Sequence, residues 1–164
     1  MIYLDCGYYI GDAEKSNCVD DTWTRFGFEP HPGIEVPEYV LRKAVWIKDG
    51  TMKFNIGGRN DASSLEGTSG HSDPVTIEVE TIDFSEFVKN LPPEPIVCSM
   101  DIEGAEFAVL EKMIKDNTIY KIRFLDIEFH HRIMGDAKGP DDARSLIKQI
   151  QDRGVIIKLK VPLE

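Results

Sequence analysis

Positive charge is in short supply in this sequence. Lysine and arginine number 19 against 29 aspartates and glutamates, for a formal net charge of −10. A surface so poor in cations works against broad contact with nucleic-acid phosphates and against an anionic membrane. Long apolar runs are missing as well. No segment approaches the roughly 20 residues needed to span a bilayer, and residues 1–5 lack the basic start and apolar stretch of a secretory signal. Cysteine is scarce. Cys6, Cys18 and Cys98 form no CxxC pair and no zinc-type spacing. Cys6 and Cys98 fall in apolar, strand-like runs, where buried reduced thiols are expected; a cytoplasmic protein is the expectation. There is no internal repeat and no linker. What remains is a 164-residue chain that is 41% apolar, enough for one core in a single domain over residues 1–164. A small neutral or cationic substrate, or a protein partner, suits its charge.

The pattern along the chain alternates strands with helices. Strands are expected at Ile2 to Cys6, Thr24 to Phe28, Val75 to Ile82, Ile96 to Met100, Ile122 to Phe129 and Val155 to Val161. Helices are expected at Ala13 to Asp20, after Asp83, at Ala105 to Lys115 and from Gly139-Pro140 to Gly154. A stunted helix is expected within residues 34–43, limited by Pro37. Asp49-Gly50 between two β-like runs signals a hairpin. Residues 57–74, rich in Gly, Ser, Asn and Asp, form a long loop. The fold class is therefore α/β: a mainly parallel sheet with helices on both faces and an added β-hairpin.

The first strand runs into Asp5-x-Gly7-x-x-x-Gly11-Asp12. In open α/β sheets, ligands bind outside the carboxyl ends of the strands. Gly7 lets backbone approach a ligand, and Gly11 lets the next helix pack on the turn. The spacing is not the GxGxxG dinucleotide fingerprint; it resembles the DxGxxxG turn of class I methyltransferases. A purely structural turn is the competing reading. Glu29 ends the second strand, 22 residues past Gly7, where an acidic side chain can accept hydrogen bonds from ribose hydroxyls. A solvated loop carboxylate is the alternative there.

Three blocks in order make the sequence similar to the FkbM-like methyltransferases. They are Leu4-Asp5-Cys6-Gly7 with Ile10-Gly11-Asp12, then Phe28-Glu29-Pro30-His31-Pro32, then Asp101-Ile102-Glu103-Gly104-Ala105-Glu106 followed by Val109-Leu110. Ser63-Ser64-Leu65, Val79 to Asp83 and Ile127 to His130 support them. The resemblance implies a Rossmann-like class I methyltransferase fold, S-adenosylmethionine as donor, and often a hydroxyl oxygen as acceptor. It places Asp5, Gly7, Tyr8, Gly11, Glu29 and Asp101 at the cofactor. Tyr8-Tyr9 stand where small residues are common, which makes the expected turn tighter.

Asp126, Glu128 and His130 alternate along the fifth expected strand and would share a face. Parallel neighbours would bring Asp101, Glu103 and His130 together as the catalytic group. Methyl transfer gains most from in-line positioning, and a hydroxyl acceptor also benefits from a base, for which His130 is the natural candidate. A structural His130 is the alternative. Glu106 opens a helix, where its charge suits the dipole. A different reading keeps Asp101, Glu103, Glu128 and His130 as ligands of a divalent cation in a hydrolase; a third is a non-catalytic relative that binds a nucleoside or a protein. The expected function is methylation of a small hydroxylated acceptor, such as a sugar or secondary metabolite, with no metal ligand assigned.

Overall fold

A computed structural model describes residues 1–17, 19–56, 63–65, 75–130 and 138–163. Cys18 and most of the loop expected over 57–74 lie outside these residues.

Six parallel strands form the main sheet in the order β10-β9-β8-β1-β2-β3. They are β1 (Ile2–Cys6), β2 (Thr24–Phe28), β3 (Val40–Leu41), β8 (Ile96–Met100), β9 (Ile122–Ile127) and β10 (Ile156–Leu159). β1 is the hinge of this order: the chain adds β2 and β3 on one side of it and β8, β9 and β10 on the other. All five residues of β1 are buried, as expected for a strand covered on both faces.

Alternation along the strands divides the faces. Ile2, Leu4 and Cys6, with Cys98, Met100, Leu125 and Ile127, point into the large core. Opposite them lie α2 (Phe84–Asn90), α3 (Glu106–Lys115) and α4 (Pro140–Gln151). Each helix presents its apolar stripe: Phe84 and Val88; Phe107, Leu110 and Met113; Ala143, Leu146 and Ile150. Phe28 meets Phe84 and Phe87 edge to face, at 5.6 and 5.2 Å between ring centres, and each such ring buried contributes roughly 1.5–3 kcal/mol. α1 (Asp12–Ser16) borders the other face. There the register sets Asp5, Ser99, Asp126 and Lys158 side by side across four strands, and Asn17, just past α1, donates to Asp126.

Local signals explain the helix ends. The Asp83 carboxylate caps α2 by accepting the Glu86 N–H. Pro140 starts α4, where its missing N–H costs nothing. Gly154 leaves it at a φ of 84°.

Two expectations are corrected. The stretch 34–43 holds no helix: prolines at 32 and 37 break it, and Val40–Leu41 instead extends the sheet beside β2. The Asp49-Gly50 hairpin does not form. β4 (Ala44–Trp46) runs parallel to β7 (Val75–Asp83), and β5 (Gly50–Ile56) runs antiparallel to the opposite edge of β7, so the two flank β7 instead of pairing. The Asp49 side chain accepts the Asp83 N–H, and Thr81 donates to the Lys48 carbonyl. The nine-residue β7 thus takes up the groups a tight turn would have used. With β6 (Ser64–Leu65) these strands make a second sheet, β4-β7-β5-β6, packed through Ala44, Phe54, Leu65 and Val79 onto Ala105 and Ile102.

Among the described residues, no helix is long and apolar enough to cross a membrane.

Candidate active site

The sheet's carboxyl edge builds the site. Asp101 N–H bonds the Cys6 carbonyl, Glu128 N–H the Met100 carbonyl, Lys160 N–H the Ile127 carbonyl, and Gly7 N–H the Phe28 carbonyl. The ladder therefore continues one step past each strand and fixes where every loop leaves. Above it opens a cleft that is partly open to solvent. Gly7, Glu29, Asp101 and Glu103 line it, and the second sheet supplies a wall through Ala44, Phe54 and Leu65.

The turn after β1 is held close to the turn after β8. A Cβ on Gly7 would stand 1.9 Å from the Asp101 carbonyl oxygen, and Gly7 has a φ of 84°, so only glycine fits. Tyr8 does not crowd the cleft. Its ring folds over Gly11, where a Cβ would lie 2.7 Å from the hydroxyl, and packs edge to face on Tyr39. Tyr9 lines the cleft at a φ of 46°, a costly conformation for a side-chain-bearing residue. Its N–H donates to Glu29 Oε2 at 3.1 Å, while the His31 N–H donates to Glu29 Oε1 at 2.8 Å. Glu29 is buried, and that burial raises its pKa against the two N–H bonds. A carboxylate has about four acceptor positions, so capacity remains at the cleft.

Past β8, the chain turns through Glu103 at a φ of 54° and Gly104 at 108°. Glu106 stabilises this turn. Its Oε1 accepts the Ile102 N–H and its Oε2 the Gly104 N–H, each at 3.0 Å. Oε1 also meets His130 Nδ1 at 3.0 Å. Its side chain is 0% exposed. The identity of Glu106 was visible in the sequence block, but helix-dipole compensation understates what it does.

His130 is aimed by that contact. Its Nε2 faces Glu103 at 3.5 Å, Glu128 at 3.6 Å and Asp101 at 3.7 Å. Burial alone would lower its pKa; the Glu106 hydrogen bond and the charges of Glu106, Glu103 and Asp101 override this and push it up to about 9. Glu103 moves to about 7, chiefly through burial, with His130 opposing and Asp101 adding to the rise. Burial likewise raises Glu128. Perturbed groups this close together, with Glu103 lining the cleft, are typical of functional sites.

The structure thus brings Asp101, Glu103, Glu128 and His130 together. It leaves Asp126 out, because the strand ends at Ile127 and Asp126 faces α1, bonded to Asn17 and Lys158. Ligand atoms of Asp101, Glu128 and His130 lie within 4.8 Å of one another and could hold a cation. Asp5 lies beneath the turn, 1% exposed, with Oδ2 unpartnered; burial lifts its carboxyl to about 8. Lys160 lies outside the sequence blocks. Its ammonium contacts Asp101 Oδ2 at 3.3 Å; the alternation Lys158-x-Lys160 at the last strand's end was the signal available.

The family profile described as the methyltransferase FkbM domain matches residues 5–155. No curated protein and no solved structure matches the chain.

Proposed function

The chain belongs to the FkbM methyltransferase family and is a methyltransferase; from that premise we propose that it transfers the methyl group of S-adenosylmethionine to a hydroxyl oxygen of a small acceptor, such as a sugar or secondary metabolite. The sheet order, reversing at β1, supports reading the fold as the Rossmann-like sheet of class I methyltransferases, with the ligand at the switch point. The observation that carries the proposal is the junction of Glu29, Gly7 and Asp101 at one cleft.

The residues present fit the cofactor. Glu29 keeps acceptor positions for ribose hydroxyls. Gly7 offers bare backbone at the turn, with Gly11 and Tyr8 shaping it from behind. Asp101 lines the cleft and supplies a carboxylate toward a cationic ligand. The cofactor supplies an electrophilic methyl on a sulfonium. The chain's part is to hold the acceptor hydroxyl in line and take its proton.

Glu103 fits the base role better than His130. At neutral pH an imidazole pushed up to about 9 already carries its proton, whereas a carboxyl near 7 is half free to accept one. His130 then acts as a fixed cation beside Glu103, oriented by Glu106. A metal-dependent hydrolase would use Asp101, Glu128 and His130 but leave Glu29 and the glycine turn without work.

Isothermal titration with S-adenosylmethionine and S-adenosylhomocysteine tests the reading. Binding of both in the micromolar range is expected; binding of neither well above micromolar concentrations would overturn it.

A further inference from the structure

A second hollow adjoins the cleft on the α1 side. Gly7, Tyr9 and Asp101 belong to both, so the two meet at the turn after β1. The second hollow adds Asp12, Asp126 and Lys160. Its charges come in two kinds. Asp126 is 1% exposed and its Oδ1 has no hydrogen-bond partner, which is costly for a buried carboxylate unless a donor arrives. Lys160 has three donors, of which the Asp101 contact uses one. Lys158 also lines the hollow, but its ammonium sits against Asp126 Oδ2 at 3.2 Å.

An unsatisfied carboxylate beside a cation with spare donors is complementary to a zwitterion. A carboxylate entering unassisted would meet Asp12, Asp101 and Asp126, in a chain of net charge −10. We propose that Lys160 grips the carboxylate of the cofactor's amino-acid end, while Asp126 and Asp101 receive its ammonium. This rests on the S-adenosylmethionine reading above and makes Lys160 the residue that distinguishes the whole cofactor from its nucleoside fragment.

The test compares S-adenosylhomocysteine, which has the amino-acid end, with 5′-methylthioadenosine, which lacks it. Both are titrated calorimetrically into the wild-type protein and Lys160→Met. Wild type is expected to bind S-adenosylhomocysteine about ten-fold or more the tighter, the order of one charge-assisted hydrogen bond. In Lys160→Met that preference collapses while 5′-methylthioadenosine binds as before, which also shows that the cleft is folded. Lys160→Arg restores part of the preference, and Lys148→Met, on the exposed face of α4, leaves it unchanged despite the same change in net charge. An unchanged preference in Lys160→Met, an equal loss for both ligands, or a wild type that does not distinguish them overturns the inference alone. A wild type that binds neither ligand overturns the cofactor reading and this inference with it.

Discussion

Two buried glutamates hold the two turns that border the cleft. Glu29 accepts the N–H groups of Tyr9 and His31 and so ties the turn after β1 to the end of β2. Glu106 accepts those of Ile102 and Gly104 and so closes the turn after β8. They differ in what else they meet. Glu106 is sealed from solvent and gives a third acceptor position to His130. Glu29 lines the cleft with capacity left over. The same local device therefore yields a positioning residue where a histidine closes it and a ligand-binding residue where a cavity faces it. Backbone hydrogen bonds at a carboxylate do not decide its role; the direction of its unused lone pairs does.

The comparison breaks hardest at Glu106. Glu106→Ala would leave two backbone N–H groups and the Nδ1 side of a partly buried imidazolium without their acceptor, and should cost about 3–5 kcal/mol in urea unfolding. A loss under about 1 kcal/mol would mean that the turn holds itself. Gly7→Ala comes next. Its methyl would collide with the Asp101 carbonyl, so a loss of about 2–4 kcal/mol is expected from strain and overpacking, together with loss of cofactor binding by calorimetry.

Glu29→Gln separates the two carboxylates functionally. Stability should fall by only about 1 kcal/mol, while affinity for S-adenosylhomocysteine drops about ten-fold or more. Equal effects on stability from Glu29→Gln and Glu106→Gln, with binding retained in both, would erase the distinction.

The pH dependence sharpens it further. His130 is raised from 6.5 to about 9 in the fold, so the stability it contributes is complete below about 6.5 and is lost as pH climbs to about 9. Glu103 and Asp5, raised to about 7 and about 8, also bind protons more tightly when folded, and their effect runs the same way from the ordinary carboxylate range upward. Unfolding measured from pH 6 to 10 should show falling stability, and His130→Gln should flatten the alkaline part of the curve. The smallest effect belongs to Tyr8→Phe. It removes a 3.4 Å hydroxyl contact with Tyr39 and should change stability by less than about 0.5 kcal/mol, with cofactor affinity intact.

Much of this is legible in the sequence. The edges of β1 and β8 could be read to the residue, because buried parallel strands are short apolar runs with abrupt ends; β2, only half buried, is bounded instead by the prolines at 30 and 32. Asp83 and Pro140 marked helix starts because caps act within one turn. Pairing was harder to read. Asp49-Gly50 has the composition of a hairpin, yet the partner of both flanking strands, β7, arrives some 25 residues later, and a local signal cannot weigh a distant competitor. The cluster at His130 followed from the sequence blocks, but its protonation did not. That depends on Glu106 reaching across from α3, a contact between residues 24 apart, and on burial that periodicity does not measure.

The placement of β1 has a consequence for how the molecule comes to exist. Its neighbour β8 lies more than ninety positions further along the chain, and the cleft needs both. No fragment ending before β8 can contain the site, so binding competence waits for a closure across more than ninety positions. A ligand therefore recognises the finished fold alone and should stabilise it with the logarithm of its concentration over its dissociation constant.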